Sequence, residues 1–176
     1  APPRLIAAFK RAFLKALPAD FVQVDPAWFE QAVEAQFETG GLAALERSDA
    51  IVAALERPVA VARGSAALLL ARARGGLSGA EFTVRLEPAL AKVAALADVA
   101  DQVAPLTMVA RACHVAGFTP PAQDAALRAL DAARHANRDV FFSTLEATAE
   151  ILGELLSPAE AIRALQEADD VWPVPP

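Results

Sequence analysis

Residues 58–81 read PVAVARGSAALLLARARGGLSGAE, and the fold class follows from how this stretch starts, runs and stops. Pro58 stands where a helix opens, since the first helical turn leaves its N–H groups unpaired and proline has none to lose. From Val59 to Ala71 the side chains are small or aliphatic, with Arg63 the only charge. A helix apolar on all sides belongs in a core or an oligomer interface. Gly75-Gly76 ends it, because glycine enters the left-handed conformation that closes a helix at little steric cost. Ser78-Gly-Ala-Glu81 then has capping-box spacing, in which each side chain satisfies a backbone N–H of the other residue, and a new helix is predicted there.

The same punctuation recurs outward in both directions. Upstream, Leu5, Ile6, Phe9, Phe13 and Leu17 form one stripe of a helix from Pro3 to Leu17. Asp25-Pro26 reads as an N-cap with proline at the first helical position, opening a helix that carries Phe29, Val33 and Phe37 and ends at Gly40-Gly41. Another follows over Leu42 to Glu56, with Ser48 a point where it can break. Downstream, the helix opened by Ser78 is expected to kink or break near Pro88 and to continue to about Val103. Pro105 to Gly117 reads as a second nearly all-apolar helix. Thr119-Pro120 repeats the cap-plus-proline signature, and its helix is expected to end near Asn137. Arg138 to Leu156 is the best amphipathic segment, with Phe141, Leu145, Leu152 and Leu155 on one face. Ser157-Pro-Ala-Glu160 is a second capping box, opening a last helix to about Ala168.

The fold expected is therefore all-α: a single-domain irregular helical bundle of about eight or nine helices over residues 1–170. A non-helical, extended Pro-rich tail follows over residues 171–176. Gly40-Gly41-Leu42 with Glu46 recurs as Gly75-Gly76-Leu77 with Glu81, so a short α-hairpin repeat array is the alternative.

Composition supports helices. Alanine makes up about a quarter of the 176 residues, tyrosine is absent, and 55% of the chain is hydrophobic at a mean hydropathy of +0.33. Alanine favours helix because it loses no side-chain entropy there. The net charge of −6 argues against a nucleic-acid partner, which needs a basic footprint. One cysteine, Cys113, excludes an internal disulfide and fits a reducing compartment. No run of about 18 uncharged apolar residues exists to span a bilayer. Lys10, Arg11 and Lys15 interrupt what would be the apolar core of a secretory signal. A cytoplasmic protein is the expectation.

Candidate chemistry is thin. Cys113 and His114 are adjacent, so on one helix they point about 100° apart and cannot form a thiolate–imidazole dyad by themselves. Two histidines and one cysteine do not make the familiar zinc sets, and neither histidine follows a glutamate at di-iron spacing. Asp131 and His135, like Asp124 and Arg128, are i, i+4 pairs that read as helix support. Asp139, Glu146, Glu150 and Glu154 form one acidic stripe, for which Arg72, Arg74 and Arg111 are candidate counter-charges. Gly75-Gly76-Leu77-Ser78-Gly79 is neither a P-loop nor a dinucleotide fingerprint, since no lysine follows and no strand precedes it. No cofactor and no metal are expected.

The first helix is the most informative feature. Residues 1–19 hold Arg4, Lys10, Arg11 and Lys15 and no acid, giving +4, while the rest of the chain carries −10. Arg4, Arg11 and Lys15 share a face opposite Leu5, Phe9 and Phe13. Such a helix docks on its own body, packs on another subunit as in a homodimer, or, as the least favoured outcome, lies through residues 1–17 on an anionic membrane surface. At the other end, Trp172-Pro-Val-Pro-Pro is a candidate ligand for an aromatic groove. The expected partner-binding residues are thus Arg4, Phe9, Arg11, Phe13, Lys15 and Trp172.

The function expected is a non-catalytic interaction or scaffold protein acting through helix packing with itself or a protein partner. An alternative is a bundle that encloses a small apolar ligand as a sensor or regulatory domain, with Phe9, Phe13, Phe29, Phe37, Phe141, Phe142 and Met108 as lining. A third reading is an enzyme with a polar site at Arg111 and His114, next to Cys113.

Overall fold

A computed structural model of the chain describes residues 45–153. Every regular element among them is helical. There are six α-helices: α1 (Glu46–Ala53), α2 (Pro58–Arg74), α3 (Gly79–Ala94), α4 (Val103–Val115), α5 (Thr119–Arg134) and α6 (Arg138–Leu152). A 3-10 turn over Ala100–Gln102 leads into α4. The expected helices at residues 3–17, 26–39 and 157–168, and the tail at 171–176, lie outside the described residues.

The stretch at 58–81 folds as its residues dictate, up to the second cap. Pro58 is the first residue of α2, and ten of the helix's positions are buried, among them Gly64 and Leu68 to Ala71. At its end Gly76 takes φ +92, the Leu77 N–H donates to the Arg72 carbonyl and the Gly76 N–H to the Ala73 carbonyl, each at 3.0 Å. This is a Schellman closure, which satisfies carbonyls the helix would leave bare. Gly117 (φ +81) closes α4 the same way, with the Phe118 N–H on the Cys113 carbonyl at 2.8 Å. The residue thus delivered, Phe118, stacks on Phe82 of α3 with ring centroids 5.2 Å apart.

Four local expectations need correction. Ser78 occupies the N-cap position of α3, but its side chain makes no capping hydrogen bond. A capping box needs helical geometry from its first residue, and Gly79, at that place, sits at φ +61. Pro88 neither breaks nor ends α3, which continues through it to Ala94. The bond proline cannot make is to the carbonyl of Val84; both residues are exposed, so water can take that carbonyl. The chain then leaves the helix well before Val103, where α4 begins. Asn137 is not the end of α5, which stops at Arg134. It is extended (φ −158) and caps α6, its Oδ1 accepting the Val140 N–H at 3.0 Å. Ser48, the expected break, lies buried inside a continuous α1 that ends at Ala53.

Packing follows a simple order. α2 packs on α4, and α4 on α6, forming a row. α1 packs on α2, α3 on both α2 and α4, and α5 on both α4 and α6. Three clusters of buried residues result. The largest joins α2 to α6 through Leu69, Phe82, Val109, Cys113, Leu130 and Phe141. A second ties α1 to α2 around Leu45, Val52, Leu55 and Leu68, and a third sets Ala62 against Val93, Leu106 and Ala129. No helix among the described residues is long and apolar enough to cross a membrane.

Candidate functional site

α2 is not covered evenly. Ser65, Leu68, Leu69 and Arg72 follow the i, i+3, i+4, i+7 spacing that puts them on one face of a helix. α1 and α3 flank that face and leave between them a cleft of about 720 Å³. Its floor runs two helical turns along α2, about 10 Å. Asp49, Val52 and Ala53 of α1 form one wall. The other is α3, which contributes Val84, Pro88 and Ala89 together with Glu81, Arg85 and Lys92.

The two ends of the cleft differ. At one, Arg72 Nη2 donates to Asp49 Oδ2 across from α2 to α1. The arginine side chain is 12% exposed and the aspartate 44%, so the pair is half-solvated and holds α1 in place more by geometry than by a large energy. At the other, Lys92 Nζ donates to the Ser65 hydroxyl at 2.9 Å, linking α3 to α2. Neither Lys92 nor Arg85 makes an ion pair among the described residues. Between the ends Leu68 and Leu69 are buried beneath the floor, and α3 adds Glu81 and Arg85 to the lining. Val84 stands at the rim and is 72% exposed, more than any other large hydrophobic side chain among the described residues.

The sequence-derived candidates fall elsewhere. Cys113 is fully buried in α4, and desolvation pushes its thiol from 9.0 up to about 12, so it stays protonated and unreactive at neutral pH. His114 and Arg111 are both exposed and neither lines the cleft. His114 Nε2 lies 3.9 Å from Glu150 Oε1 of α6. His114 thus faces Glu150 of the acidic stripe, while Arg72, one of the arginines considered for that task, is engaged with Asp49. At 40% and 89% exposure the His114–Glu150 contact is a solvated surface pair of little energetic weight. Asp124 and Arg128 form the expected i, i+4 pair at 3.6 Å.

Of the residues considered for an apolar ligand, Phe141, Phe142 and Met108 are described, and none of these three lines the cleft. Phe141 is buried in the main cluster and Phe142 packs edge-on against it with centroids 5.8 Å apart; the Arg138 guanidinium lies 5.5 Å over the Phe142 ring. Met108 fills space between two clusters. Arg4, Phe9, Arg11, Phe13, Lys15, Phe29, Phe37, Glu154 and Trp172 lie outside the described residues. Among the described residues no group of His, Cys, Asp and Glu is gathered to hold a metal ion.

The apolar residues of α2 do not reveal the cleft in the sequence, since they read equally as core. Its signal was the polar ones: Ser65 and Arg72 are seven residues apart, on one face of a helix otherwise built for burial. In α3 Arg85 and Lys92 repeat that spacing of seven across Pro88, with Glu81 one turn before Arg85. The chain matches no protein-family model, no curated protein and no solved structure.

Proposed function

We propose that this chain is a non-catalytic helical interaction protein that works by packing a helical surface against a protein partner or a second copy of itself. The observation that carries the reading is the cleft between α1 and α3, where Ala80, Val84 and Pro88 are exposed along the α3 flank beside charged groups, Val84 at 72%. Exposed apolar groups that are contiguous and rimmed by charged ones, rather than scattered singly, are what marks an interaction surface. On this reading the whole chain is an array of eight or nine helices in the cytoplasm. The α2–α4–α6 row, with the intervening helices packed on their sequence neighbours, favours the α-hairpin arrangement over an irregular bundle.

The test is the mass of the full chain in solution by light scattering, alone and with extract of the source cell, for the native protein and for Val84→Glu. We expect either a multiple of the chain mass or a specific complex, and its loss in the variant. A chain that stays monomeric and loses no complex through Val84→Glu overturns the reading. Repeating the measurement without residues 1–19 shows whether the +4 segment carries the contact instead.

A further inference from the structure

We draw no further inference here: the strongest candidate, the exposed apolar flank of α3 formed by Ala80, Val84 and Pro88 beside the α1–α3 cleft, is an unpartnered helix face, and nothing in the structure shows what covers it.

Discussion

Helices α3 and α5 have the same length, 16 residues, and each leans on α4, yet they are built on opposite terms. The inner face of α3 is Phe82, Leu86, Ala89 and Val93, all but Ala89 bulky, at spacings of four, three and four. The inner face of α5 is Ala122, Ala125, Ala126, Ala129, Ala132 and Ala133, with Leu130 the only large member. Alanine faces let neighbouring helices come close and leave no room for growth; bulky faces hold helices apart and interlock. The outer faces differ in consequence. α5 seals the α4–α6 side of the molecule, whereas α3, held off by its large side chains, offers its outward flank to the cleft.

That difference predicts opposite sensitivities. Removing bulk from α3 should be the most damaging change. Phe82 is fully buried and stacked on Phe118, so Phe82→Ala is expected to cost about 3–5 kcal/mol in urea unfolding, the transfer term plus an unfilled cavity. A loss below about 1 kcal/mol would mean that the α3 face is not interlocked, and the contrast with α5 would fail. Proline placement separates the two helices as well. Pro120 and Pro121 lie in the first turn of α5, where no N–H is missed, but Pro88 lies inside α3. Pro88→Ala restores the bond to the Val84 carbonyl and is expected to stabilise the chain by up to about 3 kcal/mol, while Pro121→Ala leaves it nearly unchanged.

Adding bulk should harm α5. Ala126→Leu forces extra volume into a fully buried alanine face and is expected to cost about 1–3 kcal/mol by the same unfolding measurement. α4, on which both helices lean, supplies a pH test of how dry their common core is. The Cys113 thiol is raised from 9.0 to about 12 by burial. Above pH 9 the unfolded chain gives up this proton and the folded chain keeps it, so the unfolded state binds fewer protons and stability falls as pH rises. The loss should begin near pH 9, approach about 1.4 kcal/mol per pH unit and end near pH 12, the full stability being present below pH 9. No tyrosine titrates in this range, and comparison with Cys113→Ala isolates the contribution of the thiol. A slope unchanged in that variant would show that water reaches the residue.

Much of the fold was legible because several of its helix ends are marked by proline or paired glycine. Pro58, Gly75-Gly76 and Gly117 do open or end helices, although Pro88 and Gly64 lie inside α3 and α2, and a stripe such as Phe141 with Leu145 and Leu152 has one reading. The misreadings share a cause, which is that a local rule was applied where tertiary context decides. Ser78 and Glu81 have capping-box spacing, but the φ of Gly79 between them is not written in that spacing. Asn137 suits either end of a helix, and only the position of the α5 terminus makes it the cap of α6. The cleft was the least legible part. Asp49 and Arg72 are 23 residues apart and meet only because α1 folds back on α2, a pairing no periodicity encodes.

The smallest effect expected is the most diagnostic for the outer flank of α3. Val84 is 72% exposed, and it borders the cleft without entering any of the three buried clusters. Val84→Glu therefore removes almost no burial. Glutamate is at least as good a helix former as valine, and an added charge on that flank remains hydrated. The unfolding free energy is expected to change by less than about 0.5 kcal/mol, against several for Phe82 only two residues away. If instead the variant unfolds readily, Val84 is covered by the folded chain itself, and the outward flank of α3 belongs to the core rather than to a recognition surface.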